Sequence, residues 1–111
     1  MNKYCMVETP FDNETELNKV INELLDKHLV ASTHVIESKS SWNYKNKRES
    51  SKEYILYMKT IKDNLKEIYD VIKRIHSYEV FEFAIYDITS ISNEYLSWIE
   101  EETKKNKTIT I

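Results

Sequence analysis

His76-Ser77-Tyr78-Glu79-Val80-Phe81-Glu82 joins two segments whose apolar residues recur with different periods, and that change of period decides the fold. Before it, Leu65, Ile68, Tyr69, Ile72 and Ile75 recur at three- and four-residue spacing, the stripe of a helix that buries one face. After it, the run from Val80 to Ile88 is rich in Val, Phe, Ile and Tyr, residues that suit a pleated, half-buried surface, and it reads as a strand.

Working outward toward the N-terminus, Thr60 and Asp63 have the spacing of a capping box that would open this helix. Glu53 to Lys59 reads as a strand with Tyr54, Leu56 and Met58 on one face. Asn43 to Ser51 is polar and suits a hairpin tip, where Asn46 tolerates a left-handed backbone almost as well as glycine. Leu29 to Tyr44 is the partner strand. Leu17, Val20, Ile21, Leu24 and Leu25 form an earlier helical stripe, capped by Asp12 or Asn13 and ending near His28. Asn2 to Glu8 is a first strand, which Pro10 is expected to end because proline lacks the ladder amide. On the C-terminal side, Ser92 or Asn93 opens a third helix through Thr103 that packs Tyr95, Leu96 and Ile99. Lys104, Lys105 and Lys107 then lead into Thr108 to Ile111, a frayed tail or a short last strand. The order β-α-β-β-α-β-α is the split βαβ, or ferredoxin-like, α+β sandwich, and residues 1–111 make a single domain.

Composition narrows the function. The 111 residues carry 16 Lys and Arg against 19 Asp and Glu, a net charge of −3, so no general pull on nucleic acid or anionic membranes is expected. The strands lack the basic and aromatic pattern of an RNA-binding sheet. No glycine is present, which excludes glycine-rich phosphate loops. Cys5 is the sole cysteine, so a reducing compartment is the simplest reading. With no signal-like N-terminus and no membrane-length apolar run, a cytoplasmic protein is expected. No nucleophile and base stand at a diagnostic spacing, so an enzyme is not expected.

Four stretches taken together resemble the CutA family of divalent-cation tolerance proteins. His76 to Glu82 is similar to the family's His-Pro-Tyr-Glu-Val-Pro-Glu, with Ser77 and Phe81 in place of the prolines. Tyr95-Leu96-Ser97-Trp98-Ile99 is similar to its closing Tyr-Leu-x-Trp-Ile, and Lys59-Thr60 to its Lys-Thr strand end. Trp42-Asn43-Tyr44-Lys45-Asn46-Lys47 stands where the family has Tyr-x-Trp-x-Gly-Lys. The resemblance implies a homotrimer with a fold like that of the nitrogen-regulatory PII signalling trimers, and a link to tolerance of divalent cations, copper above all. No cofactor is required on this reading beyond Cu2+ or another divalent cation. The alternative is a PII-like signalling or scaffolding trimer that binds a small ligand or a protein partner.

His76 is the metal candidate, since imidazole is a common copper and zinc ligand. The structural alternative is a hydrogen-bonded histidine at a helix C-terminus. In some relatives two adjacent histidines and a first-strand cysteine carry metal binding; here Ile75 and Val7 occupy the first histidine and the cysteine positions. Glu53, Lys59, Tyr78, Glu79 and Glu82 are the candidates for an intersubunit cleft, where carboxylates beside a lysine could bind a cation, orient a ligand or form an ion-pair network. Trp42, Tyr44 and Trp98 are candidate interface anchors.

Overall fold

In a computed structural model, which describes residues 3–104, the chain forms a four-stranded sheet with strand order β2-β3-β1-β4 and three α-helices. The elements are β1 (Tyr4–Phe11), α1 (Glu14–Asp26), β2 (Ser32–Tyr44), β3 (Lys47–Ile61), α2 (Leu65–Ile75), β4 (Ala84–Asp87) and α3 (Asn93–Glu102). All strand pairs are antiparallel. This is the expected α+β order; the last part of the tail, residues 105–111, lies outside the described residues.

Alternation along the strands sorts the sheet into two faces. Val7 and Phe11 of β1 with Leu56 and Met58 of β3 share one face, and Leu17, Val20, Leu24, Ile68 and Ile72 from α1 and α2 pack into them. Asn13 caps α1 as read, accepting the Glu16 amide on Oδ1 at 3.0 Å. Tyr4, Lys59, Ile61 and Ser32 lie on the other face. There α3 covers one end only, through Ile99 against Ala31 and Ile61 and through Tyr95 Oη beside Ser32 Oγ at 3.2 Å. The rest of that face is open.

Several boundaries differ from the reading of the sequence. Pro10 does not end β1: it pairs with Ile55 inside the β1–β3 ladder. Its carbonyl accepts a bond from His76 on the flank away from β3, and β4 flanks β1 only from Cys5 to Glu8. Amide and carbonyl of one strand residue point the same way, so the missing amide falls where no strand needs it. The polar run Asn43 to Ser51 is not a loop. The turn is Lys45-Asn46 alone, with φ of 50° and 66°, a two-residue connection of the kind that needs left-handed backbone at both positions. The flanking polar residues continue the ladder as far as Tyr44 opposite Lys47. The last strand is Ala84–Asp87, not Val80 to Ile88, and Val80 is 78% exposed. Helix α1 stops at Asp26 and His28 takes a φ of 56°, so β2 begins at Ser32 instead of Leu29. Thr60 and Asp63 form no capping box, since a single 3-10 turn (Lys62–Asn64) precedes α2. Thr60 Oγ1 and Asn64 Nδ2 donate instead to the Leu29 carbonyl, at 2.6 and 3.0 Å. Those bonds tie the α1–β2 connection to the end of β3 and satisfy an acceptor that burial would otherwise leave unpaired.

The β2–β3 hairpin gives the molecule its length. Its outer half, from Ser40 opposite Ser51 to the tip, lies beyond the helices, and the molecule measures 51 × 33 × 21 Å. The radius of gyration is 15.0 Å, against roughly 13 Å for a compact chain of this size.

Candidate functional site

Helix α2 ends at Ile75, and His76 turns into extended backbone (φ −66°, ψ 134°) while its amide still reaches the Ile72 carbonyl at 2.8 Å. The imidazole therefore swings back over the end of β1. Its Nε2 lies 2.6 Å from the Pro10 carbonyl, and its Nδ1 accepts the Tyr78 amide at 3.2 Å. An acceptor at Nδ1 and a donor at Nε2 define one tautomer with both nitrogens engaged. The ring stacks on Phe11 and Phe81, with centroids 4.2 and 5.0 Å away, and His76 is 9% exposed. This is the structural role weighed above. A metal would have to displace one of these two bonds to find a lone pair.

The junction then delivers Tyr78 to the sheet. Its hydroxyl donates to Glu53 Oε2 at 2.6 Å, and Glu53 is 6% exposed on the open face. Burial first, and the Glu53 carboxylate second, push the Tyr78 phenol well above the usual tyrosine range. Glu82 reaches the same region. Partial desolvation, then Glu8 and Glu53, raise its carboxyl above the ordinary value. Glu8 accepts the Tyr86 hydroxyl on Oε1 at 2.8 Å. Farther along the hairpin, Tyr44 Oη donates to Glu79 Oε1 at 3.4 Å, linking the hairpin to the junction.

These groups line one cleft of about 900 Å3 between the hairpin and residues 78–82. Glu53, Tyr78, Glu79 and Glu82 line it within one chain, together with Trp42 and Tyr44. Lys59 does not. It belongs to the far end of β3, under α3, with its ammonium 6.0 Å from the Tyr95 ring centroid. Six residues of strand separate it from Glu53, roughly 20 Å, so within one chain Lys59 does not join the carboxylates of the cleft. Trp98 is also elsewhere, against Tyr95 on α3. Trp42, Tyr44 and Trp98 are 37%, 41% and 40% exposed.

Sequence reasoning missed Glu8, Glu49 and Tyr57. Glu8 and Tyr57 stand opposite each other on the open face, a placement that period-two alternation offers once β1 is run through Pro10. Glu49 enters only because β3 begins at Lys47. Cys5 is fully buried, and burial pushes its thiol up to about 11, so it is inert packing. His28 Nδ1 lies 3.1 Å from the Glu102 carbonyl, and His34 is exposed opposite Tyr57. Among the described residues, no group of three or more His, Cys, Asp or Glu is close enough to hold a metal ion within one chain.

Residues 5–102 match the family model for the CutA1 divalent ion tolerance protein. The chain is 32% identical over 100 residues to the divalent-cation tolerance protein CutA of Pyrococcus horikoshii, covering 90% of this chain and 98% of that one. The crystal structure of CutA1 from Pyrococcus horikoshii superposes with a TM-score of 0.84 at 31% identity, over 91% of this chain and 99% of that one. The periplasmic divalent cation tolerance protein CutA from Archaeoglobus fulgidus superposes with a TM-score of 0.87 at 25% identity, over 91% and 99%. The family match runs from β1 through α3, the span that carries the hairpin, the His76 junction and the cleft, and the chain belongs to the CutA1 divalent ion tolerance family.

Proposed function

We propose that this chain is a non-catalytic, homotrimeric binding protein of the cytoplasm that acts in tolerance of divalent cations, copper among them, by weak cation binding at the hairpin cleft. The observation that carries the reading is the lining of that cleft. Five carboxylates (Glu8, Glu49, Glu53, Glu79 and Glu82) face it and no Lys, Arg or His does among the described residues, in a chain where the two charge signs are nearly balanced. A low-dielectric wall concentrates the field of like charges and attracts counter-ions. His76 serves this site by position: it holds the backbone that presents Tyr78 and Glu79. With at most two of these groups close together, one chain offers a cation an incomplete shell, which suits weak binding or completion by a neighbouring copy.

The trimer rests on surface left uncovered by one chain. Ile36 and Tyr86 on the open face are 56% and 46% exposed, and Val35, Ile85 and Trp98 exceed a third. Such apolar area is characteristic of surfaces that meet a partner. No helix of the described residues is long and apolar enough to cross a membrane.

Calorimetry with Cu2+ tests the binding reading. A saturable heat that disappears in the Glu79→Gln/Glu82→Gln double variant is expected; no saturable heat, or a heat unchanged in that variant, overturns it. Light scattering tests the assembly, with a monomer at micromolar concentration as the contrary result. A PII-like scaffolding role is the second reading, favoured by the projecting hairpin with exposed Trp42 and Tyr44. A partner lost on deleting residues 43–48 would support it, and a partner retained would oppose it.

A further inference from the structure

The bonds of the His76 imidazole suit one protonation state only. Its Nδ1 accepts the Tyr78 amide at 3.2 Å, and its Nε2 donates to the Pro10 carbonyl at 2.6 Å. A neutral ring supplies one acceptor and one donor, and both are used; an imidazolium supplies two donors and no acceptor. Histidine is also the side chain that ordinarily changes charge between about pH 5 and 8. The two bonds therefore respond to a proton in opposite ways. The one to Pro10 becomes charge-assisted and stronger. The one to Tyr78 becomes two N–H groups facing each other.

A proton on Nδ1 finds no acceptor in the closed junction. His76 is 9% exposed, and the charged groups around it are engaged elsewhere or turned outward. On the β1–α1 side, Glu16 accepts the Ser77 amide at 3.0 Å, and Asp12, which follows Phe11, is exposed. On the β3 side, Glu53 accepts the Tyr78 hydroxyl. Within the junction, Glu79 accepts the Tyr44 hydroxyl. In the last turn of α2, Arg74 pairs with Glu23 and Lys73 is exposed. Among the described residues no carboxylate bonds the ring, whose partners are Pro10 and Tyr78. Water must serve the new N–H, and water reaches it only if the chain after Ser77 moves.

What moves is set by what stays bonded. The ring remains on Pro10 and stacked on Phe11, with centroids 4.2 Å apart, and the Ser77 amide remains on Glu16. Phe81 also stacks on the ring, at 5.0 Å. Those anchors confine the movement to Tyr78, Glu79 and Val80, the stretch that forms one wall of the cleft and in which Val80 is already exposed. Tyr78 also carries the hydroxyl that covers Glu53, so the carboxylate opens to water when Tyr78 leaves.

We propose that His76 is a pH-sensitive latch: the neutral imidazole holds the Tyr78 amide and closes the junction, and a proton at Nδ1 releases Tyr78, Glu79 and Val80 while the ring stays anchored to Pro10. The latch works through backbone hydrogen bonding and does not rest on what the cleft binds.

The test is nuclear magnetic resonance of the full chain in its assembled state, with no divalent cation added, from about pH 8 to about pH 5, the range in which histidine titrates. It follows the imidazole nitrogen shifts and the protection factors of backbone amides, corrected for intrinsic exchange. The chain has three histidines, and His28→Gln and His34→Gln assign their signals. The neutral His76 ring is expected to carry its proton on Nε2. As it gains the second proton, Tyr78 amide protection is expected to fall about tenfold with the same midpoint, the ratio for losing one hydrogen bond worth about 1.4 kcal/mol. The amides of Val7 and Leu56, inside the β1–β3 ladder, are expected to keep theirs. In His76→Gln, which keeps a donor for Pro10 and cannot titrate, Tyr78 protection is expected to be independent of pH. Tyr78 protection that stays constant while His76 titrates, a His76 ring that takes no proton above about pH 5, or a loss that persists in His76→Gln overturns the latch. The coincidence of midpoints in the unaltered chain decides the matter if circular dichroism shows that His76→Gln does not fold.

Discussion

The His76 junction and the hairpin cleft share residues 78 to 82, yet their chemistry is opposite. At the junction the imidazole is spent within the fold: both its nitrogens are bonded, the ring is stacked on two phenylalanines, and little of it meets solvent. In the cleft the carboxylates outnumber their internal donors and face open space. A residue type that ligates metals is a poor guide when its lone pairs serve the backbone, and glutamates with no special motif become the better candidates when the fold concentrates them. The family resemblance points first to the histidine, and the geometry moves attention a few ångströms onward to its neighbours.

Replacing His76 tests that contrast most severely. His76→Ala removes one buried and one half-buried hydrogen bond and a stacked ring, and it should cost about 2–4 kcal/mol in urea denaturation. A loss below about 0.5 kcal/mol would show that the junction is not the structural element described here. His76→Gln retains one donor and should recover part of the loss.

Tyr78→Phe stands on the border of the two regions. It takes a donor from the nearly buried Glu53 carboxylate, so a loss of about 1–3 kcal/mol is expected. Unchanged denaturation would mean that water serves Glu53 equally well, and the border would shift toward the cleft.

Asn46→Val, at the hairpin tip, forces a β-branched residue to a φ of 66° and should cost about 1–2 kcal/mol of local stability. Hydrogen exchange should show the loss in the outer hairpin, with the amides of β1 unaffected. Protection lost equally in both would mean that hairpin and core unfold together.

The smallest effect is electrostatic. The Glu82 carboxyl is raised above its ordinary value by partial desolvation, Glu8 and Glu53. The folded state therefore holds that proton more tightly than the unfolded state. Stability should fall as pH rises from the usual glutamate range through the raised value, and recover as pH drops back. Glu82→Gln should flatten this slope in a pH series of urea midpoints; a slope of the opposite sign would mean that Glu82 is held by a cation in the folded protein.

Much of the fold was legible in one dimension because it depends on neighbours in sequence. Helix stripes, the Asn13 cap and the left-handed Asn46 follow from local sterics and hydrogen bonding. The boundaries that were misread depend on what lies beside the chain. Pro10 stays in β1 because the adjacent flank carries no strand there, and residues 80–83 stay out of β4 because pairing with β1 reaches only to Glu8. Polar residues 47 to 52 form a strand because a partner strand satisfies their amides.

The amino-acid order by itself determined the element sequence, the hairpin tip and the family, since periodicity, turn chemistry and motif spacing are written along the chain. Only the tertiary structure decided that His76 spends its nitrogens on Pro10 and Tyr78, that Lys59 sits far from Glu53, and that glutamates from β1, β3 and the junction converge on one cleft. The physical reason is that hydrogen-bond partners and electric fields are set by distance through space, and strand pairing makes neighbours of residues dozens of positions apart.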